Sequence, residues 1–384
     1  MSGLKLKNDI YSYLKNFEFM LWILLTTVLN FGYFLTHYSI SVDDLNGARY
    51  YAGEMFAQGR FTSTILHYLF DLVHTSPWFV DFVGVVFLVL AAILFNILFD
   101  RLIPKISMFS KIIFSVLLIT SPIHLELMIF NSCTLIIGIG FTLVALSLLL
   151  VQDYLKTKNK KNLVYSTILL MICVSWYESL LVVYFSAVFS ILIVRAIYSE
   201  NKFTFKDLVK EGLIYAIPFV ASIVVEYVIQ VIVMTVFSIE RSHNSMNLIK
   251  LDSEKVFLIS RFIFRYFWEG LSHFPITIYN ISLLMGLLLC TYLVKQKKNF
   301  NFVLMFLCFF SSLFILCILM GEEPRYRMAQ VIPYTVAYIF YLVSVLIFNS
   351  ENLQNWKRIF LNWVAFIWQY FKCPVLIFGQ ILNL

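Results

Sequence analysis

Apolar residues in this chain come in long runs of about twenty, the length that crosses a hydrocarbon core about 30 Å thick at a rise of about 1.5 Å per residue. Such runs predict membrane-spanning helices over 19–38, 78–99, 112–130, 133–152, 163–176, 179–198, 211–237, 275–294, 302–320 and 329–348. The stretch 163–198 is too long for one upright span. It is interrupted by Ser175-Trp176-Tyr177-Glu178-Ser179, which predicts a helical hairpin turning there. Two further segments show an amphipathic pattern. Apolar positions recur at helical spacing from Tyr50 to Leu72, and Arg261 and Arg265 share one helical face ahead of Trp268, Glu269 and His273. The fold class expected is therefore all-α: a polytopic transmembrane helix bundle of about ten helices, with amphipathic juxtamembrane helices in the first and fourth outer loops. Residues 1–348 read as one transmembrane domain. Residues 349–384, mixed and Trp-rich, read as a cytoplasmic or interfacial tail, in which 359–382 has the length to lie along the interface, re-enter or span.

Composition agrees with lipid as the main solvent. Of the 384 residues 61% are hydrophobic, 18% aromatic and 13% charged, where a soluble domain carries about 25% charged residues. The placement of charge is more informative than the net +7. With the N-terminus inside, the N-terminal segment, 100–111, 153–162, Arg195, 199–210, 295–301 and the tail hold 20 of the 29 Lys and Arg residues. That bias sets an orientation by the positive-inside rule and gives no reason to expect a nucleic-acid partner. Those inner loops are short and Lys-rich and contain neither histidine nor a phosphate-binding glycine loop, which disfavours an ATP-driven pump or an enzyme using cytosolic nucleotide sugars. The first apolar run follows Lys5, Lys7 and Lys15 without a small-residue cleavage site and reads as a retained helix. Six cysteines without CxxC spacing, mostly inside apolar runs, read as small core residues.

The polar residues left over fall on the outer side. Asp43 and Asp44 follow the first span directly, with Arg49, Gly59 and Arg60 behind them. Adjacent carboxylates at a lipid boundary suit a general base with an orienting or cation-binding neighbour, and equally a solvated helix cap. Gly321-Glu322-Glu323-Pro324-Arg325-Tyr326-Arg327 places arginines against the charge bias. A guanidinium fork engages phosphate oxygens two at a time; pairing with Glu322, Glu323 or lipid head groups is the competing explanation. At the hairpin turn, Glu178 beside Trp176 and Tyr177 needs a wet or protein-lined cavity, while the aromatics also suit an interface belt. His124 and Glu126 form a similar outer turn with only a weak metal signal.

Three of these stretches resemble the GtrII-type glucosyltransferases that modify bacterial O-antigen, within the GT-C class of membrane glycosyltransferases. They are Asp43-Asp44 with Arg49 and Gly59-Arg60, the Tyr177-Glu178 turn, and Pro324-Arg325 before the last helix. The overall plan is similar over most of the chain. The family's turn is usually Tyr-Gln, from which Glu178 departs. The resemblance implies a hexose, with glucose the expected one, moved from a polyprenyl-phosphate-linked donor to a lipid-linked glycan such as O-antigen. The site would face the periplasm from the bacterial inner membrane, with the donor, the glycan acceptor and membrane lipid as partners. In that scheme Asp43 or Asp44 is the catalytic base. Arg325, Arg327, Arg49 and Arg60 hold the donor phosphate, and Glu178, Tyr177 and Trp176 bind sugar. No cofactor or metal is required, although a divalent cation at the Asp pair is compatible. The competing functions are a lipid-linked oligosaccharide flippase or transporter, and an outward acyltransferase or glycan polymerase centred on His124 or His67.

Overall fold

A computed structural model describes residues 3–37, 60–69, 75–128, 133–199, 202–238, 256–257, 260–261, 277–320 and 328–349. Among the described residues the chain is almost entirely helical, with no strand. The helices are α1 (Gly3–Lys15), α2 (Phe17–Thr36), α3 (Phe61–Leu69), α4 (Pro77–Asp100), α5 (Met108–Ile119), α6 (Pro122–Leu127), α7 (Cys133–Thr157), α8 (Lys161–Trp176), α9 (Ser179–Tyr198), α10 (Phe205–Phe237), α11 (Thr277–Lys297), α12 (Asn301–Met320) and α13 (Val331–Asn349).

Among the described residues seven helical stretches are long and apolar enough to cross a membrane: 17–36, 78–100, 108–127, 133–157, 179–198, 205–237 and 331–348. The other three stretches expected to span are helical, α8, α11 and α12, but among the described residues they fall short of that length and apolarity, α8 with only 16 residues. Two boundaries differ from the sequence reading. The run expected over 112–130 starts at Met108 and is interrupted at Thr120–Ser121, where Pro122 opens α6. A proline fits a first helical turn because it has no N–H to bond backwards. The helix expected from 211 starts at Phe205, where Thr204 and Asp207 cap each other reciprocally. Of the amphipathic stretch 50–72 the described part is α3, and of the second amphipathic segment only 256–257 and 260–261 are described. The tail from residue 350 lies outside the described residues.

Helix packing in lipid has little hydrophobic drive, so close approach and interhelical hydrogen bonds carry it. α4 and α7 meet at glycines. A Cβ on Gly138 would lie 2.1 Å from the Gly84 carbonyl oxygen, and one on Gly84 would lie 2.6 Å from the backbone of Thr134 and Leu135. Thr142 Oγ1 seals the same interface by donating to the Phe87 carbonyl at 2.8 Å. Asn96 Nδ2 donates to Ser115 Oγ at 2.7 Å, joining α4 to α5, and the Ser147 and Ser166 hydroxyls pair at 2.7 Å between α7 and α8. α5 and α13 run antiparallel with Phe109 against Phe348 at one end. Between them, Phe95, Phe99, Phe114, Tyr334 and Tyr341 form a fully buried aromatic stack. The Tyr334 hydroxyl ties that stack to Ser190 of α9 at 2.6 Å. By contrast α2 and most of α10 turn apolar side chains outward, the lipid-facing positions of the bundle.

The lysine-rich segments gather at one end. Arg101, only 9% exposed, bonds Asp9 of α1 at 3.2 Å and Asp153 of α7 at 3.3 Å. Lys111 reaches Asp100 at 2.8 Å and lies over the Tyr13 ring, whose hydroxyl donates to Asp100. Burial, reinforced by the neighbouring Asp100 carboxylate, holds the Tyr13 phenol well above its ordinary range. α1 is thereby clasped across the base of the bundle. The residue pattern behind the positive-inside reading thus corresponds to one physical end.

Candidate functional site

At the opposite end, α3 lies against α8. Its start is fixed at Arg60, whose carbonyl accepts from the Thr64 backbone N–H at 3.1 Å and from the Thr64 hydroxyl at 3.2 Å. Two residues further along, Thr62 hydrogen-bonds Ser175 side chain to side chain. Leu66 packs into an apolar cluster with Val80, Leu135, Ile136 and Trp176. α3 is therefore held by one polar tie and one hydrophobic plug, and Arg60, the residue just before it, is brought over the α8–α9 turn.

That turn is tight. Tyr177 is extended (φ −157°, ψ 109°) and its N–H still bonds Cys173, while its carbonyl already accepts from Leu180 of the next helix at 3.0 Å. Glu178 opens α9, with its carbonyl accepting from Leu181 at 3.1 Å. A single extended residue thus reverses the chain and places Tyr177 and Glu178 side by side beneath Arg60. Arg60 Nη2 lies 3.8 Å from Glu178 Oε2, with the two side chains 27% and 24% exposed. The Arg60 guanidinium carbon is 5.4 Å from the centre of the Tyr177 ring. At that exposure such an ion pair contributes up to about 1 kcal/mol, and the cation–π contact a similar amount. The pair is loose enough to leave other guanidinium N–H groups and carboxylate lone pairs for a ligand.

Sequence reasoning assigned Arg60 to phosphate and Tyr177 and Glu178 to sugar; the structure brings the three into one cluster. Trp176 is placed differently. Its indole is packed with Leu66, Val80, Leu135 and Ile136 and is 6% exposed, so it supports α3, and among the described residues Nε1 has no hydrogen-bond partner. Ser179 Oγ is also buried without a hydrogen-bond partner among the described residues. The Thr62–Ser175 tie was not anticipated. The run Arg60-Phe61-Thr62-Ser63-Thr64, with three consecutive hydroxyl residues at the start of an apolar helix, was the available signal. Asp43, Asp44, Arg49, Arg325 and Arg327 lie outside the described residues.

His124 is 1% exposed on α6, edge-on to Phe141 at 5.7 Å, and its neighbours include the Leu118 and Ile119 carbonyls and the Gln330 side chain. Gln330, itself fully buried, immediately precedes α13, so the antiparallel α5–α13 pairing accounts for this meeting. Among the described residues no group of three or more His, Cys, Asp or Glu side chains is arranged to hold a metal ion.

The chain matches the family model described as Glucosyl transferase GtrII over residues 32–370. No curated protein and no solved structure matches it. The matched span takes in α3, the α8–α9 turn and every other helix from α4 to α13, along with all the residues of the Arg60 cluster. An integral membrane architecture, a polar cluster at the end away from the lysines and this match across most of the sequence lead to one conclusion: the chain is a member of the GtrII glucosyltransferase family.

Proposed function

We propose that this membrane glucosyltransferase takes glucose from a polyprenyl-phosphate carrier and places it on a lipid-linked glycan, an O-antigen or a related polymer, at the periplasmic face of the bacterial inner membrane. The observation that supports this reading most is the Arg60–Glu178–Tyr177 cluster at the end of the bundle opposite the lysine-rich one. By the positive-inside rule the lysines lie in the cytoplasm, and the cluster then faces out. Nucleotide sugars are absent from that compartment, whereas a carrier lipid presents its sugar there with the tail still in the membrane.

In the reaction proposed, an acceptor hydroxyl gives its proton to the carboxylate of Asp43 or Asp44. Its oxygen forms a bond to the anomeric carbon as the bond from that carbon to the phosphate oxygen breaks. The electron pair leaves with polyprenyl phosphate. Arg60, together with Arg49, Arg325 and Arg327, offsets the charge that grows on the departing phosphate. Glu178 accepts hydrogen bonds from sugar hydroxyls, and Tyr177 supplies an aromatic edge. The test is a transfer assay in membranes containing the protein, with radiolabelled polyprenyl-phosphate glucose and isolated lipid-linked glycan. Label should move into the glycan with wild-type protein and stay on the carrier with Asp43→Asn/Asp44→Asn. Label that stays on the carrier with correctly inserted wild-type protein would sink the proposal.

A further inference from the structure

α1 is tied to the ends of membrane-spanning helices. Asp9 reaches Arg101 at 3.2 Å, and the Tyr13 hydroxyl donates to Asp100, both at the end of α4. Arg101 also holds Asp153 near the end of α7, and Lys111, in the first turn of α5, lies over the Tyr13 ring. α2 opens its own span at Phe17, directly after Lys15 and Asn16. Asp9 and Tyr13 are about 6 Å apart along α1 but meet neighbouring residues at one height on α4. α1 therefore lies across these helix ends, at the level where the spans leave the hydrocarbon.

The two sides of α1 differ. Leu6, Ile10 and Tyr13 turn into the core of the bundle. The side turned away holds Lys7, Tyr11, Leu14 and Lys15, which share a face through their spacings of three and four, and all of them are exposed. The Lys15 ammonium lies 4.5 Å from the centre of the Tyr11 ring. Phe17, also exposed, extends the apolar strip into α2. The acids nearby are placed elsewhere: Asp9 is engaged by Arg101 on the inner side, and Glu18 stands in the first turn of α2. Among the described residues neither Lys7 nor Lys15 has a carboxylate within 4 Å. The surroundings are positive as well. Lys156 of α7 feels the like charges of Arg101, Lys5 and Arg195 against the opposite charge of Asp153.

We infer that the outer side of α1 binds anionic phospholipid of the leaflet at this end, Lys7 and Lys15 meeting the head-group phosphates while Tyr11, Leu14 and Phe17 rest among the acyl chains. An ammonium on a four-carbon stem reaches from apolar surroundings to a phosphate. Each lysine at such a surface adds about fivefold in affinity. A soluble anion would leave the exposed rings and leucine in water, and a zwitterionic lipid would leave the lysines without a net opposite charge. The surface lies at the end of the bundle away from the Arg60 cluster and is separate from the site of sugar transfer.

Full-length protein purified in neutral detergent is titrated with phosphatidylglycerol or phosphatidylcholine, and bound lipid is counted by native mass spectrometry. Wild-type protein should bind phosphatidylglycerol about tenfold or more tightly than phosphatidylcholine. Lys7→Gln and Lys15→Gln should each weaken phosphatidylglycerol binding about fivefold, and together remove most of the preference, with phosphatidylcholine binding unchanged. Lys7→Arg/Lys15→Arg should keep the wild-type affinity. Lys206→Gln/Lys297→Gln, the same charge change on α10 and α11, should leave it within about twofold. Melting temperatures check that each variant is folded. Equal affinity of the wild type for the two lipids, a Lys7→Gln/Lys15→Gln protein within about twofold of wild type, or an equal loss in the control pair would each overturn the lipid surface. Displacement of phosphatidylglycerol by inorganic phosphate at equal concentration would mark a site for a soluble anion and overturn it too.

Discussion

Arg60 and Glu178 are 118 positions apart in the chain and meet at 3.8 Å because α3 lies on α8 and Tyr177 reverses the chain in one extended residue. The pair has a consequence for variants of either residue. Arg60→Ala removes a phosphate-competent fork and leaves Glu178 without its cation, whereas Arg60→Lys keeps the charge without the fork. Both should lower kcat/KM about tenfold or more, the lysine variant recovering little. Glu178→Gln should keep most activity, because an amide oxygen still accepts from the guanidinium and Tyr-Gln is the turn usual in the family. The measurement is transfer kinetics on the three single variants. A lysine variant with wild-type kcat/KM would remove the fork from the explanation.

Gly138 and Gly84 set the spacing of α4 and α7. A methyl on Gly138 would lie 2.1 Å from a backbone oxygen, and backbone cannot swing aside as a flexible side chain does. Gly138→Ala must therefore push the two helices apart and strain the Thr142–Phe87 hydrogen bond with them. A cost of about 1–3 kcal/mol is expected, read as a lowered melting temperature in detergent. Gly212, with nothing within 4 Å of an added Cβ, is the control, and Gly212→Ala should be neutral or slightly stabilising.

Arg101 holds two carboxylates from different helices while itself 9% exposed. Arg101→Gln leaves Asp9 and Asp153 without their shared cation. A fully buried pair broken this way costs about 3–5 kcal/mol, and an exposed one under about 1. With Asp9 about one-third exposed, about 2 kcal/mol is the expected loss between those limits. Its specific signature is release of α1: trypsin should cut after Lys15 sooner than in wild type. Equal cleavage rates in the two proteins would show that Lys111, Asp100 and Tyr13 hold α1 without Arg101.

The bundle was legible in the sequence because lipid imposes a long, uniform apolar run on every span, and because lysines mark one end. Helix ends were less legible. Capping at Thr204–Asp207 extends α10 six residues beyond its apolar run, and Pro122 opens a new helix inside another. In the site, the residue types at the turn were visible as ionisable or aromatic interruptions. Their partners were not, since nothing local links Arg60 to Glu178. Trp176 shows the limit most plainly: a tryptophan at a polar turn reads as a sugar platform, yet its indole is buried in an apolar cluster with Leu66, Val80, Leu135 and Ile136.

The tie between Thr62 and Ser175 gives a last prediction, resting on the asymmetry of buried hydrogen bonds. Ser175 is 1% exposed, so its hydroxyl has no water to turn to if Thr62 is lost. Thr62→Val keeps the shape of the side chain and removes the partner, stranding a buried hydroxyl at a cost of about 1–3 kcal/mol. Removing both hydroxyls, as Thr62→Val/Ser175→Ala, deletes the stranded group as well and should be nearly neutral. The melting temperature should therefore fall in the single variant and recover in the double. Transfer should follow the same order, since α3 carries Arg60 over the turn. A double variant as unstable as the single would mean that α3 is held by the Leu66–Trp176 plug alone and that the hydroxyl pair contributes nothing to placing Arg60.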